Sequence, residues 1–320
     1  MDLHPQDIFA ERGNRMLGVH SLDHFAIQVP NLTEADRFYS AFGLQAEQNG
    51  QGLDLRTFGS DHVWGMVTEG QDKCLRHLSF GIYERDFQPF RHHLVSRGIT
   101  LLEPSPCYGR NGLWFRGFDD VLIELKVAEK CSPDVKASAF HPLTVAAERG
   151  TRMGHISADP IRPRRLSHCL LFTSDLMGAV AFYRDILGLR LSDRAGEVVA
   201  FMHSLHGSDH HLMAFAASSG PGFHHASWDI GSIEEIGRGA LQMADAGFTN
   251  GWGLGRHVIG SNFFHYVQDP WGGFSEYSCD IDFIPRGYDW RPKNFPMRDA
   301  LALWGPEPPA DFVHNYEIRR

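Results

Sequence analysis

A histidine, a tyrosine and a glutamate stand close together in the segment GRHVIGSNFFHYVQDPWGGFSEY, toward the C-terminal end of the sequence. Tyr266 follows His257 by nine residues, and Glu276 follows Tyr266 by ten. A carboxylate among apolar side chains is costly unless a cation or hydrogen-bond donors compensate its charge. The Asp-Pro-Trp-Gly-Gly sequence before Glu276 predicts a hairpin, which turns Tyr266 and Glu276 toward one pocket. We therefore ask which residues accompany Glu276 and whether they form a metal site.

The sequence repeats itself in two halves. LDHFAIQVPNLTEADRFYSAFGL begins at Leu22, and LSHCLLFTSDLMGAVAFYRDILGL begins at Leu166. Each stretch has a histidine in an apolar strand, followed by a helix that contains Phe-Tyr and ends in Gly-Leu. Asn31 and Ser174 are the predicted N-caps of these helices. Later segments also match, SDHVWGMV with SDHHLMAF and LRHLSFGI with FHHASWDI.

This repeat predicts an α+β fold of tandem βαβββ modules, with two domains that each contain a pair of modules. Second helices are expected near residues 85–96 and 232–246. The expected boundaries are an N-terminal extension (1–20), an N-terminal domain (21–130), a Pro-containing linker (131–164), a C-terminal domain (165–284) and a tail (285–320). The tail covers the site as a lid, contacts another subunit, or forms an irregular segment on the protein's own surface.

Three residue types align across the halves. They are His24, His77 and Glu124 in the first half, and His168, His225 and Glu276 in the second. Two histidines and one carboxylate on one face of a metal leave positions open for substrate and O2, and this ligand set suits non-haem Fe(II). The second half also offers three candidate proton donors and acceptors beside the expected ligands: His211, His257 and Tyr266.

The first half keeps the ligand types but lacks the proton donors and acceptors. At the positions of His211, Tyr266 and His257 it has Val63, Trp114 and Ser105. His24, His77 and Glu124 therefore form either a buried, hydrogen-bonded relic or a second metal site. We favour the relic.

Two adjacent histidine pairs, His210–His211 and His224–His225, must be resolved by register. Counting back from His225 favours His211 as the residue in the site, because a shift of one residue reverses the face of a strand. The same alternation predicts that His224 points away from the face that carries His225.

Composition excludes several classes of function. The 320 residues are 42% hydrophobic, and their net charge of −9 argues against nucleic-acid binding. There is no run of 18 apolar residues, and the N-terminal MDLHPQDIFAERGNRM lacks the apolar core of a signal peptide. We therefore expect a cytoplasmic protein without membrane contact. The five scattered cysteines, without a CxxC pair, indicate free thiols rather than disulfides or a zinc site.

The second half resembles the catalytic domain of the type I extradiol ring-cleaving dioxygenases, which include catechol 2,3-dioxygenases, in the vicinal oxygen chelate superfamily. The resemblance rests on LSHCLLF, DHHLMAF, FHHASW and GRHVIGSNFFHYVQDPWGGFSEY. The first half resembles the non-catalytic partner domain of these enzymes, so the resemblance spans most of residues 22–284.

This resemblance implies Fe(II)-dependent extradiol cleavage of a catechol-type aromatic with O2, in the degradation of aromatic compounds. The product would be a ring-opened semialdehyde-type acid, cut beside the diol. His168, His225 and Glu276 would bind the metal, and Mn(II) could replace Fe(II) with the same ligands. The resemblance also implies a homo-oligomer.

The remaining site residues take their expected roles from the same resemblance. His257, with Tyr266 hydrogen-bonded nearby, would help to take up a substrate proton. His211 would stabilise the oxygen and later deliver a proton. His203 and Trp252 are expected to line the substrate pocket.

Two other functions remain open on this fold. One is a metal-dependent isomerase or lyase related to glyoxalase, which uses ligands divided between modules. The other is a non-catalytic ligand-binding protein, which needs no metal ligands. The presence of His211, His257 and Tyr266 in the same half as the expected ligands argues against both.

Overall fold

Two large β-sheets, one from each half of the chain, form the centre of the fold. The computed structural model describes residues 17–103, 112–139 and 159–318. In chain order, the elements of the first half are β1 (Ser21–Val29), α1 (Leu32–Ala41), β2 (Gln45–Gln48), β3 (Gly52–Arg56), β4 (Val63–Glu69), β5 (Cys74–Ile82), α2 (Phe87–Ser96), β6 (Gly112–Arg116) and β7 (Leu122–Val127). The seven strands form one sheet in the order β2-β3-β4-β1-β5-β7-β6.

The second half forms a nine-stranded sheet that includes a strand of the tail. Its elements are β8 (Arg165–Thr173), α3 (Leu176–Leu187), β9 (Arg190–Ala195), β10 (Val199–His203), β11 (Ser208–Asp209), β12 (Met213–Ala217), β13 (Gly222–Asp229), α4 (Ile233–Asp245), β14 (Gly251–Arg256), β15 (Phe263–Gln268), β16 (Phe274–Cys279), β17 (Phe283–Ile284) and β18 (Lys293–Phe295). The strand order is β14-β15-β16-β13-β8-β12-β10-β9-β18, and β11 pairs separately with β17.

The two sheets repeat one pairing pattern. β1 pairs in parallel with β4 and antiparallel with β5, and β8 pairs in the same way with β12 and β13. The predicted α+β fold of βαβββ-type modules is confirmed. In the described part of the first half, the second module has β5 before its helix and two full strands after it, β6 and β7, with a single bridge between Leu101 and Phe115 in place of a third strand after the helix.

The predicted domain boundaries stay a prediction. The first sheet ends with β7 and the second begins with β8, while residues 140–158 of the expected linker, and residues 1–16 of the expected extension, lie outside the described ranges. Among the described residues, no helix has the length and apolar character needed to cross a membrane.

The helix ends show where local sequence decides structure. The side chain of Asn31 accepts a hydrogen bond from the third helical N–H of α1, as predicted for an N-cap. The prediction of Ser174 for α3 is wrong, because the carboxylate of Asp175, one residue later, accepts the corresponding bond at 2.9 Å. Gly188 ends α3 with a φ of +73°, a conformation that favours glycine.

Aromatic packing holds the halves together. The rings of Phe42 and Tyr277 stack with 3.9 Å between centroids, and the Tyr277 hydroxyl donates to the Phe42 carbonyl oxygen at 2.8 Å. Phe25 and Phe223 stack at 5.3 Å. All four side chains belong to one buried cluster that includes residues of both halves. Full burial of a large apolar side chain stabilises the fold by roughly 1.5–3 kcal/mol. These contacts therefore hold the second sheet against the first.

Candidate metal centre and active site

Three neighbouring strands carry the expected metal ligands. His168 lies on β8, His225 on β13 and Glu276 on β16, and β13 pairs with both of the others. Their exposed fractions are 3%, 3% and 0%. Residues that are 57 and 51 positions apart in sequence therefore meet on one face of the sheet.

The three side chains converge on one point. The Glu276 Oε2 atom lies 3.3 Å from His168 Nε2 and 3.6 Å from His225 Nε2, and the two Nε2 atoms are 3.4 Å apart. Oε2 is buried and has no hydrogen-bond partner, whereas Oε1 accepts from the Asn262 amide at 3.2 Å. Burial raises the pKa of Glu276, while hydrogen bonds from His168 and His257 in their protonated forms, and the positive charge of His168, lower it well below its usual range. A buried, unpartnered carboxylate oxygen facing two imidazole nitrogens fits a divalent metal ion.

In each of the two histidines, a hydrogen bond at Nδ1 orients the ring so that Nε2 faces Glu276 Oε2. The Ser167 hydroxyl donates to Asp209, so it accepts from Nδ1–H of His168 at 3.3 Å. On the other ligand, His224 Nε2 donates to the Phe312 carbonyl oxygen at 2.6 Å. The Nδ1 of neutral His224 then accepts from Nδ1–H of His225, 2.6 Å away. Both expected ligands therefore present an unprotonated Nε2, as metal binding requires.

The matching residues of the first half form a different arrangement. His24 Nε2 and His77 Nε2 are 3.1 Å apart, but the Glu124 carboxylate accepts from the Ser79 hydroxyl at 2.6 Å. In the second half the corresponding hydroxyl, on Ser227, makes no hydrogen bond. Because Ser79 already donates a hydrogen bond to the Glu124 carboxylate, a cation is less necessary there. This supports the interpretation of His24, His77 and Glu124 as a hydrogen-bonded relic.

A second group of metal-binding residue types also lies in the first half. Among the described residues, Asp23, His62 and Cys131 have donor atoms within 4.8 Å of one another. Asp23 is already held by His24 at 2.7 Å and by the Lys126 ammonium group at 3.0 Å. This neighbouring cation compensates the carboxylate, so the group has no uncompensated charge comparable with that of Glu276.

His257 and Tyr266 lie together beside the expected ligands. Tyr266 on β15 pairs directly with Glu276 on β16, and its hydroxyl lies 3.0 Å from His257 Nε2. His257 Nδ1 bonds the carbonyl oxygen of Leu301, so Nδ1 carries the proton and Nε2 accepts from the Tyr266 hydroxyl. Burial, with the nearby Glu276 carboxylate, raises the pKa of Tyr266 well above its ordinary value, so the phenol stays protonated.

His211 lies on the other side of the ligand pair. Its ring centroid is 4.0 Å from that of His168 and 4.8 Å from that of Phe201. Burial, and secondly the proximity of His168, lowers its pKa well below the ordinary value, so the imidazole is neutral at rest. The structure places His211 in the cavity wall and turns His210 to the carboxylate of Asp193.

All of these groups face one apolar cavity of about 180 Å³. Its wall includes the three expected ligands, His211, His257, Tyr266 and Trp252. Aliphatic and aromatic side chains form most of the rest, among them Leu170, Phe172, Val199, Phe201 and Ile259. Apart from Glu276, no Asp, Glu, Lys or Arg of the described residues lines it.

Similarity to known proteins agrees with this site. Residues 165–276 match the model of the Glyoxalase/Bleomycin resistance protein/Dioxygenase superfamily. The chain is 47% identical to metapyrocatechase 2 of Cupriavidus necator over 300 residues, which cover 93% of each protein. The chain belongs to the extradiol ring-cleaving dioxygenases.

More distant proteins are similar in sequence or in fold. A manganese-dependent 2,3-dihydroxybiphenyl 1,2-dioxygenase of Geobacillus genomosp. 3 is 24% identical, with 89% of this chain and 93% of the relative covered. The crystal structure of a Mn(II)-bound glyoxalase from Novosphingobium aromaticivorans superposes with a TM-score of 0.73 at 21% identity, covering 92% and 93% of the two chains. The similarity to this glyoxalase structure concerns the fold alone.

The tail of this dioxygenase forms part of the active-site wall. Its contributions are Met297, Ala300, Leu301, Phe312 and Val313. Carbonyl oxygens of Leu301 and Phe312 also orient His257 and His224. The tail therefore covers its own site. These contacts support the interpretation of the tail as a lid. A contact between the tail and another subunit remains a prediction.

Some predictions of position differ from the structure. Trp252 lines the cavity, but His203 is not part of the wall, and its Nδ1 bonds the Ser192 hydroxyl at 2.8 Å. His224 does not point away from its neighbour as strict alternation predicts. A β-bulge between Phe223 and His225 breaks the alternation, and His224 lies against His225 in the wall.

Sequence reasoning also missed Asn262 and Asp193. Asn262 bonds Glu276 across the hairpin, and Asp193 bonds His210 from a neighbouring strand. Asn262 lies in the segment between His257 and Glu276, and this position could have indicated that it contacts the site. Asp193 had none, because a single acid within a short strand of mixed composition looks like an ordinary surface residue in sequence.

Proposed function

We propose that this dioxygenase opens the ring of a catechol-type aromatic with O2, beside the two hydroxyls, and gives a ring-opened semialdehyde-type acid. The metal is Fe(II), with Mn(II) as a substitute, held by His168, His225 and Glu276. The observation that carries this proposal is the buried, unpartnered Oε2 of Glu276 facing two Nε2 atoms in the wall of an apolar cavity.

The ligand set supports both metals equally. Two imidazoles and one carboxylate suit Fe(II) and Mn(II), and a relative is named as manganese-dependent. When bound, such an ion supplies open coordination positions and Lewis acidity to the catechol and O2. The remaining contributions come from the side chains of the chain itself.

His257 and Tyr266 handle a substrate proton in this proposal. The Leu301 carbonyl holds the proton of His257 on Nδ1, which leaves Nε2 as a base toward the cavity. The Tyr266 hydroxyl, 3.0 Å from Nε2, orients that base and can turn its own O–H to a substrate oxygen. His211, beside His168 on the opposite side, is placed to exchange a proton with an oxygen of the reactants.

The apolar wall selects the substrate and limits water. A catechol with an apolar ring substituent finds aliphatic and aromatic contacts, whereas a substituent with a carboxylate meets no cationic partner among the described wall residues. The tail residues Leu301 and Phe312 close one side of the cavity. Apolar catechols are therefore the expected substrates.

The competing functions have less support. A glyoxalase-type isomerase does not need His211, His257 and Tyr266 around ligands from one half. A non-catalytic binding protein gives no account of the unpartnered Glu276 oxygen. Two further expectations, a homo-oligomer and a cytoplasmic location, stay predictions. Exposed apolar side chains in the tail, such as Tyr288, Leu303 and Val313, support the former.

One experiment tests the proposal. The protein is reconstituted without oxygen, separately with Fe(II) and Mn(II), and its metal content is measured. A panel of catechols is then added, air is admitted, and O2 uptake is followed together with the yellow ring-opened product. Uptake with at least one apolar catechol is expected. A protein that binds one metal ion but consumes no O2 with any catechol contradicts the proposed function.

A further inference from the structure

A histidine and a carboxylate lie directly behind His211, outside the cavity. His210 Nδ1 is 3.1 Å from His211 Nδ1, and His210 Nε2 is 2.8 Å from Asp193 Oδ2. The exposed fractions of Asp193, His210 and His211 are 4%, 0% and 3%. The three groups form one buried chain of hydrogen bonds that ends at the cavity.

The chemistry of the end groups fixes the direction of these bonds. An ionised carboxylate only accepts hydrogen bonds, so Nε2 of His210 carries a proton and donates it to Asp193. In the neutral tautomer of His210 that donates from Nε2, the Nδ1 atom is an acceptor, and Nδ1 of His211 is then the donor. His211 therefore presents an unprotonated Nε2 to the cavity.

We propose that Asp193 and His210 are positioning residues that hold His211 in this tautomer, so that its Nε2 can take a proton from the substrate. The inference rests on the proposed function for its role in the reaction. One hydroxyl proton of the catechol moves to Nε2 of His211, while Nδ1 keeps its own proton and His257 serves the other hydroxyl. Asp193 compensates the resulting imidazolium charge through His210, and Nε2 later returns the proton to an oxygen of the product.

The carboxylate of Asp193 is itself held on both oxygens. Its Oδ1 accepts from the backbone N–H of Lys293 on β18 at 2.7 Å, while Oδ2 accepts from His210. The adjacent backbone is fixed as well, because the Trp290 indole donates to the Ser192 carbonyl oxygen at 2.8 Å. A buried carboxylate with two fixed acceptor positions cannot turn to another partner.

The first half supplies an internal comparison. Val63 stands at the position of His211, so no base needs orientation there. Glu47 pairs with β3 as Asp193 pairs with β10, but it is exposed and lies 3.3 Å from the Arg56 guanidinium. His62, the match of His210, bonds the backbone carbonyl of Asp23. Among the described residues of the first half, no carboxylate is hydrogen-bonded to the matching histidine, since the buried Asp23 carboxylate lies 3.9 Å from His62 Nε2.

Asp193→Asn is the decisive variant because the tail fixes how the new amide is oriented. The Lys293 N–H requires the amide oxygen at the Oδ1 position, which leaves the amide NH2 facing His210. The amide then donates to Nε2 of His210, so Nδ1 of His210 carries the proton and donates to His211. This reversal moves the proton of His211 from Nδ1 to Nε2, where it cannot accept a substrate proton.

The tautomer of His211 is read directly in metal-free protein labelled with 15N-histidine, whose signal is assigned by comparison with His211→Ala. We expect Nδ1–H in the unaltered protein and Nε2–H in Asp193→Asn. In the metal-loaded enzyme, Asp193→Asn should lose about 10²- to 10⁴-fold in kcat with unchanged metal content. In a His211→Ala background the same change should cost no further activity.

Matched variants separate this role from general damage to the tail. Asn294→Ala removes a bond from the same tail strand to the Gly196 N–H and should leave the His211 tautomer unchanged. His210→Asn keeps an acceptor near the Nδ1 position and should retain about tenfold more activity than His210→Leu. These two variants decide the question if Asp193→Asn does not fold.

An unchanged His211 tautomer in Asp193→Asn overturns the proposal. So does an equal loss of activity from Asp193→Asn with and without His211, because that result describes a structural role. Failure of the proposed function is distinguishable, since it shows as a metal-loaded enzyme inactive with all catechols while the tautomer measurement still gives its answer.

Discussion

At the scale of single residues, identical side chains have different roles because their neighbours differ. Glu124 and Glu276 occupy matching strand positions, but Glu124 accepts from a serine hydroxyl while Glu276 Oε2 has no partner. Sequence spacing located both acids, and it also located the histidines beside them. It could not show which acid is satisfied, because that depends on the rotamers of Ser79 and Ser227.

We expect Glu276→Gln to lose metal and Glu124→Gln to keep it. A neutral amide at position 276 removes the only anionic ligand, while the amide at 124 can still accept from Ser79. Metal content after anaerobic loading and gel filtration checks this expectation, with about one ion per chain in Glu124→Gln. Loss of bound metal in Glu124→Gln, with a folded protein, would instead point to a second metal in the first half.

We expect His211→Ala to keep its metal and lose about 10²- to 10⁴-fold in kcat, the usual contribution of general acid–base catalysis. His211 does not belong to the group around Glu276 Oε2, so its removal leaves the ligands in place. Steady-state O2 uptake and metal analysis on the same sample measure both quantities. Unchanged turnover in the metal-loaded variant would exclude His211 from the reaction.

At the scale of elements, periodicity predicted the strands and helices that carry the site. It did not predict a local β-bulge or the path of the irregular tail. The hairpin of β15 and β16 pairs Tyr266 with Glu276, as the turn sequence indicated. The bulge at His224 was not predictable, since it depends on pairing with β8. The path of the tail was equally inaccessible. Phe312 meets His224 across 88 residues of sequence, and an irregular segment has no periodicity that reveals its contacts.

We expect Phe312→Ala to loosen the tail over the site. Phe312 is 6% exposed and packs on Trp252, Tyr266 and Phe274, with centroids 4.7, 4.9 and 5.1 Å away. Truncation of such a ring costs about 3–5 kcal/mol. The tail should then become sensitive to limited proteolysis, and metal affinity should fall roughly 10- to 100-fold as the Phe312 carbonyl leaves His224.

The matched control for the tail is Leu303→Ala. Leu303 is an apolar tail residue that is 64% exposed, so its truncation removes little packing. Proteolysis and metal affinity should stay near those of the unaltered protein. Equal sensitivity of both variants would mean that Phe312 does not anchor the tail.

At the scale of the whole molecule, many histidines are buried as neutral side chains, and this sets a dependence of stability on pH. Burial lowers the pKa of His203 to about 4, with the nearby His210 adding to the effect. Burial likewise lowers the pKa of His206 to about 4, although its bond to the Gly18 carbonyl opposes the shift. In an unfolded chain both groups titrate near 6.5.

The sign follows from which state binds more protons. Between pH 6.5 and pH 4 the unfolded chain takes up protons on these histidines and the folded chain does not, so the free energy of unfolding falls as the pH falls. Above pH 6.5 their contribution is fully present and constant. Each residue should account for about 1–3 kcal/mol across this window.

Urea unfolding of metal-free protein at several pH values between 7.5 and 4.5 measures this dependence. His203→Asn removes one titrating group while keeping a donor for Ser192, so the free energy of unfolding should decrease less steeply with falling pH. Ser192→Ala removes the hydrogen bonds of this hydroxyl to His203 and to the His210 carbonyl oxygen but keeps the imidazole, so it should lower stability by a similar amount at every pH. If His203→Asn has the slope of the unaltered protein, the acid sensitivity arises elsewhere in the molecule. Both variants alter the contact between Ser192 and His203, but only His203→Asn removes a titrating imidazole. The comparison therefore isolates the effect of protonating His203.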